Sequence, residues 1–264
     1  MQHKDLTLQR IAEVIAAIGT PDFPPCLSTL LREVAPYSYT VVFGYRGASR
    51  PLDLYDDFPE DRRKVFVTDY QEGPYLLDPL YLSSVGGQAP GLYRMREIAP
   101  DRFYQGEYFR NYYIQTGLAE EIGFLIDVGD DSVVVLSLMR TDRPFAGREM
   151  RALQAMAPVV LAVGRRHWAD LGARFTDASN GKGKAAMEGQ IERSFHSFGE
   201  GVLTPREREV VEYTLKGHSA EAVGRALGIS PGTVRIHRRN IYAKLRISSQ
   251  GELFSRFIGT IGKV

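Results

Sequence analysis

Four cationic side chains, Arg235, Arg238, Arg239 and Lys244, crowd into ten residues of the chain with His237 among them. An arginine fork can reach O6 and N7 of one guanine together, and each such pair is worth roughly 1–3 kcal/mol of base discrimination. Ser230 and Thr233 place hydroxyls upstream, suited to phosphate oxygens, and Ile236 sits between the arginines as an apolar contact. The bland alternative is a solvated face on a small helical bundle. A second group is aromatic. Eight of the 14 tyrosines (Tyr70, Tyr75, Tyr81, Tyr93, Tyr104, Tyr108, Tyr112, Tyr113) fall between residues 70 and 113, with Phe103 and Phe109 among them. A tyrosine has a large apolar body and a hydroxyl that needs a partner when buried, so the cluster either lines a small-molecule pocket or packs as ordinary core. Asp78, just before Pro79, either faces such a pocket, where it needs a donor, or caps a turn. Catalytic chemistry finds little support. The chain has no G-x-x-x-x-G-K-[ST], H-E-x-x-H, G-x-S-x-G or G-x-G-x-x-G pattern. The five histidines are dispersed, and Cys26 is the single cysteine, so neither a metal site, a cofactor nor a disulfide is expected.

The elements that must carry these groups divide in two. In residues 1–171, Leu8, Ile11, Val14, Ile15 and Ile18 recur at helical spacing, and the segment 26–34 continues in the same way. YTVVFGY (39–45) reads as a strand, and EIGFLIDV (121–128) with SVVVLSLM (132–139) reads as a hairpin around Gly129-Asp130-Asp131. A long helix follows Pro144, with a kink expected at Pro158. These alternations predict an α/β/α sensor sandwich around a small antiparallel sheet, and an α+β chain overall. Residues 172–200, rich in Gly, Ala, Ser and Asn, read as a flexible linker. Residues 201–264 read as helices only. Thr204-Pro205-Arg206-Glu207 has the form of a capping box with proline in the first turn, Ser219 opens a second helix ended by Gly228, and Ser230-Pro231 opens a third. Two helices joined by so short a turn, the second presenting cations, make a helix-turn-helix within a four-helix bundle.

LTPREREVV (203–211), GHS (217–219), LGISPGTVRIH (227–237) and NIYAKLRI (240–247) resemble the DNA-binding domain of LuxR-type transcriptional regulators. The resemblance implies that the helix from Pro231 enters the major groove, that Arg235 and Arg239 meet base edges with Ile236 between them, and that Thr233, His237, Arg238 and Lys244 approach phosphate or shape the helix. It further implies pairing of subunits through a last helix at about 249–258, hence a homodimer on a two-fold double-stranded operator. The N-terminal segment more weakly resembles the autoinducer-binding domain of that family, through Tyr70 and Tyr75 before Leu-Leu-Asp78-Pro79-Leu, then PGLYRMREI, then GLAEEIGFLI. This implies a small-molecule effector held by Tyr70, Tyr75, Asp78, Tyr93, Phe109 and Tyr112, with Asp78 accepting a ligand N–H. Tyr93 stands where that family commonly has tryptophan, and Trp168, the only tryptophan, lies in the late helix. The expected effector is therefore not a standard acyl-homoserine lactone but another small molecule, one bearing an amine or amide. The competing expectation is a ligand-free module for protein interaction and dimerisation.

Composition bounds the rest. At 264 residues, 44% hydrophobic and 25% charged, the chain is globular, and its net charge of +1 alone indicates no partner. Split at residue 200 the signal changes: residues 200–264 hold 11 Lys+Arg against 6 Asp+Glu, +5, and residues 1–199 carry −4. The cations thus travel with the helix-turn-helix, as phosphate neutralisation requires. The asymmetry also suggests that the acidic half lies against the basic helix in the free protein. No run of about 18 apolar residues occurs near the N-terminus, so a cytoplasmic protein without membrane attachment is expected.

Overall fold

The computed structural model describes residues 2–47, 49–111, 113–180, 195 and 197–261. Helices α1 (Gln2–Ala16) and α2 (Phe23–Val34) lead into β1 (Tyr39–Arg46) and β2 (Leu52–Asp56). Short helical pieces follow: α3 (Glu60–Arg63), widening into π-type turns over Lys64–Asp69, then α4 (Pro79–Val85), β3 (Gly91–Arg94), α5 (Met95–Ile98) and α6 (Glu107–Asn111). Strands β4 (Glu120–Gly129) and β5 (Ser132–Arg140) precede the long α7 (Gly147–His167) and α8 (Leu171–Asn180). The sheet is antiparallel with strand order β2-β1-β5-β4-β3. The expected hairpin forms, with Asp130 at φ 51° and Asp131 at φ 53°, the paired left-handed residues that a tight two-residue turn between twisted strands demands. Strands β2 and β3 are additions to the sequence reading, and Pro158 lies inside the continuous α7.

The strand pleat makes two cores. Val42, Leu136, Leu138, Ile122, Phe124 and Ile126 face one side, where Leu27, Leu30 and Leu31 of α2, Leu153 and Val160 of α7, and Phe175 of α8 cover them. Val41, Phe43, Tyr45, Val135, Met139 and Leu125 face the other side, under the short helices and turns of residues 58–118. Long helices bury a broad apolar stripe without gaps, whereas short turns meet the sheet at many separate points and leave room between them. Gly123 brings one of these pieces close: a Cβ there would stand 2.5 Å from Cδ2 of Leu80 in α4.

Helices α9 (Pro205–Leu215), α10 (Ala220–Leu227), α11 (Pro231–Leu245) and α12 (Gln250–Ile261) complete the chain. Their ends are set by local chemistry. Thr204 and Glu207 form the capping box, Ser219 accepts from Ala222 N, Ser230 accepts from Thr233 N, and Gly228 closes α10 in the left-handed conformation at φ 66°. Val210, Val211, Val223, Val234, Ile241, Leu245, Leu253 and Phe257 fill the space between the four helices. Of the segment expected as linker, 172–180 belongs to α8, with Phe175 buried, while Phe195 and Phe198 pack on Phe257 with ring centroids 4.5 and 5.6 Å away. Residues 181–194 and 196 lie outside the described residues.

Candidate functional sites: a helix-turn-helix and a two-carboxylate cavity

The turn between α10 and α11 is tight. Gly228 and Ile229 fold back so that Ile229 N donates to Gly224 O at 2.9 Å, and Ser230 with Pro231 restarts the helix at once. Val234 and Ile241 anchor α11 inward, which turns Arg235, Ile236, Arg239 and Ser230 to solvent, with Thr233 and His237 half-buried beside them. Arg235 and Arg239, one helical turn apart, share a face. Arg235 makes an exposed ion pair with Glu221 of α10 at 2.8 Å, worth little in solution and readily exchanged for another anion. Arg238 and Lys244 make contacts within the domain. Arg238 is half-buried and donates to Thr214 Oγ1 at 3.1 Å and His218 O at 3.0 Å. Lys244 Nζ reaches the buried Glu207 carboxylate at 2.7 Å. Arg238 turns into the domain, while the exposed Lys244 reaches back to Glu207, because α11 packs across α9 and places these positions near polar groups that need donors.

The N-terminal half touches this domain at the turn before α10. Ser219 N donates to Asp101 Oδ1 at 3.0 Å and Arg102 N to Gly217 O at 3.0 Å. The acidic half therefore rests on the turn 217–219, while the outward face of α11 stays uncovered, contrary to the charge-based expectation.

On the open-cored side of the sheet lies a cavity of about 30 Å³, room for about two waters and far below the several hundred Å³ of a drug-sized pocket. Tyr70 and Asp78 line it with Phe43, Tyr45, Phe66, Tyr108, Tyr113, Glu121 and Ser137. Asp78 does both things weighed for it. Its Oδ1 accepts from Leu80 N at 2.8 Å, capping α4, and its Oδ2 accepts from the Tyr70 hydroxyl at 2.9 Å, which is itself 2.8 Å from the Tyr45 hydroxyl. Three other tyrosine and phenylalanine expectations land elsewhere. Tyr75 is buried against Tyr70 and Tyr81 but behind the lining. Tyr93, on the edge strand β3, donates to Ala89 O. Phe109 stacks on Tyr113 with centroids 5.3 Å apart, outside the cavity. Tyr112 lies outside the described residues.

Glu121 was not anticipated. It is the second residue of β4, with its side chain on the cavity face opposite Met139 of β5, and is 6% exposed. Burial, with the charge of Asp78 second, pushes its carboxyl up to about 8, against hydrogen bonds from Ser137 and Tyr113 that favour ionisation. Burial also raises Asp78 to about 6 despite its donors. Burial pushes the hydroxyls of Tyr45 and Tyr70 well above the ordinary tyrosine range. The signal in sequence was an acid at the start of an apolar strand; nothing local says that the pleat turns it inward.

The pattern of the bacterial regulatory proteins of the luxR family, GerE, matches residues 201–257. An HTH-type transcriptional regulator of the exeN 3′ region of Aeromonas salmonicida is 31% identical over 183 residues, 69% of this chain and 93% of that protein. This chain belongs to the luxR family. A second relative of this luxR-type protein, the monoamine regulon transcriptional regulator of Klebsiella aerogenes, is 25% identical over 88% of both chains. The ligand-binding domain of VqsR from Pseudomonas aeruginosa superposes with a TM-score of 0.54 at 23% identity, covering 61% of this chain and 96% of that one. The N-terminal half thus shares the fold of that domain. Among the described residues, no helix of this luxR-family protein is long and apolar enough to cross a membrane.

Proposed function

We propose that this transcription regulator is a cytoplasmic homodimer that binds a two-fold operator through α11 and answers to a small molecule held in the sensor cavity. The observation that carries the reading is the small cavity lined by Tyr70 and Asp78, in a half whose wall reaches the helix-turn-helix. In this reading Arg235 and Arg239 read base edges, Ile236 packs between them, and Ser230, Thr233 and His237 approach the backbone. Arg238 and Lys244 hold α11 in place. Arg235→Ala and Arg239→Ala are each expected to relax base preference at one operator position by about 1–3 kcal/mol, read as affinities across a set of single-base operator variants. An equal loss on every sequence would sink the base-reading role.

Control runs through the contact at Ser219. A helix N-terminus favours an anion, and the first helix of a helix-turn-helix crosses the phosphate backbone, so the Asp101 carboxylate occupies a place suited to a phosphate. Phe103, next to it, packs against Tyr108 and Tyr113 of the cavity wall at 5.7 and 6.2 Å between centroids. An effector that moves this wall moves Asp101. Asp101→Ala is expected to tighten effector-free operator binding several-fold in a fluorescence-anisotropy titration; unchanged affinity would remove Asp101 from the control path. The small volume of the cavity favours a second reading, in which the N-terminal half serves only dimerisation and protein contact. A melting temperature unmoved by a broad set of small metabolites would support it.

A further inference from the structure

Buried carboxylates in this protein come with cations, except in one place. Four acidic residues are buried among those described: Asp78, Glu121, Glu149 and Glu207. Glu149 is held by Arg140 at 2.8 Å and Arg143 at 3.1 Å, and Glu207 by Lys244 at 2.7 Å. The partly buried Glu120 and Asp57 follow the same rule, paired with Arg94 and Arg32. Asp78 and Glu121 break it together, at the one cavity they share. Their partners are neutral: the Tyr70 hydroxyl and Leu80 N for Asp78, and the Ser137 and Tyr113 hydroxyls for Glu121. No lysine, arginine or histidine lines the cavity among the described residues. Leaving two carboxylates together in an apolar interior is costly unless a positive charge or a proton is supplied.

We infer that the cavity takes a compact primary amine, its ammonium seated between Asp78 and Glu121 and its body against the rings of Phe43, Phe66, Tyr70 and Tyr108. This rests on the reading of the cavity as the effector site, and names the chemistry of the effector. An ammonium offers three donors to two carboxylates, and aromatic faces attract a desolvated organic cation. A neutral amide N–H would serve Asp78 and leave Glu121 unmatched. A metal ion is poorly served, since no group of three His, Cys, Asp or Glu that could hold one occurs among the described residues. At about 30 Å³ the cavity accepts the ammonium head, and a longer body displaces the wall formed by the short turns Glu107–Asn111 and Tyr113–Thr116. In the empty cavity a proton on Glu121 stands in for the cation, so the arriving ammonium sends one proton to solvent.

The test is isothermal titration of the full-length protein at pH 7.5 with butylamine and phenethylamine, and with 2-phenylethanol and N-octanoyl-homoserine lactone as neutral comparators. At least one amine is expected to bind ten-fold or more tightly than either neutral compound. Its heat should vary with the ionisation enthalpy of the buffer, as release of close to one proton requires. Glu121→Gln, which keeps the shape and a single melting transition, should weaken the amine ten-fold or more. Equal binding of 2-phenylethanol and phenethylamine, or undiminished amine binding by Glu121→Gln, overturns the amine and leaves a ligand-responsive regulator standing. Binding of the lactone alone does the same. Failure of both amines also overturns the amine, and the broader reading falls separately if no small molecule of any class shifts the melting temperature.

Discussion

Glu121→Gln is expected to melt higher than the parent protein at pH 8, by roughly 5–10 °C, with the gap closing as pH falls toward 5. The group titrates near pH 4.5 when unfolded and is pushed up to about 8 in the fold, first by burial and then by the charge of Asp78. Between those values the folded state binds more protons than the unfolded one, so stability declines as pH rises. Above pH 8 the native protein must hold the ionised carboxylate beside Asp78, Tyr45, Tyr70, Tyr113 and Ser137, with no cation in the lining. Asp78, raised to about 6, adds a decline of the same sign at lower pH. A glutamine of the same shape has no proton to lose, and the gain at pH 8 is about 2–4 kcal/mol. Calorimetric melting of both proteins at pH 5, 6.5 and 8 decides the matter. A gap independent of pH, or a glutamine variant that melts lower at pH 8, would show that Glu121 ionises without strain.

The same substitution at Glu149 should do the reverse. Glu149→Gln is expected to lose about 3–5 kcal/mol at neutral pH. Its carboxylate takes Arg140 Nη1 and Nη2 at 2.8 and 3.0 Å, both nitrogens of the Arg143 fork, and Ala146 N at 2.7 Å. Those donors, Arg140 first, hold its carboxyl far below the usual carboxylate range. Arg140 is 2% exposed, so removing its counter-charge leaves a buried guanidinium with Pro36 O and the face of Phe145 for company. Because the folded-state pKa is depressed, this stability is present above the unfolded value near 4.5 and is lost as pH falls below it. Chemical denaturation at pH 7 and pH 3 should therefore show a large penalty at the first and a smaller one at the second. A loss under 1 kcal/mol at pH 7 would mean that the network relaxes around water.

The contrast between these two glutamates explains what could be read in advance. Each is an acid beside apolar residues, and sequence marks neither as special. Arg140 meets Glu149 because β5 ends where α7 begins, and Arg143 is only six residues away, so that pairing has a local component. Glu121 depends on the phase of the β4 pleat, on α4 delivering Asp78 across Gly123, and on the absence of any cation from the other elements that line the cavity. Of the residues whose types suggest a pocket, Tyr70 and Asp78 line the cavity, while Tyr108 and Tyr113 rather than their neighbour Phe109 join them. In irregular short turns, adjacent side chains point in directions that no period predicts. The edge strands β2 and β3, of five and four residues, were equally silent, since their pairing with β1 and β4 supplies most of what makes them strands.

The C-terminal domain was legible almost to the residue. Its helix ends are fixed by Thr204 with Glu207, Ser219, Gly228 and Ser230 with Pro231, each acting on backbone groups within four positions, so the information is local and survives without the rest of the fold. The faces of α11 follow from Val234, Ile241 and Leu245, which put Arg235 and Arg239 outward. The inward turn of Arg238 and the reach of Lys244 to Glu207 needed α9 in place, because only Thr214, His218 and Glu207 across the domain reveal the acceptors that claim them. By itself, then, the sequence determined the helix-turn-helix, the hairpin and the division of charge between the two halves. The tertiary structure alone decided which carboxylates meet, which cations are spent inside the protein, and that the acidic half rests on the turn at Ser219, because each depends on surfaces brought together from distant parts of the chain.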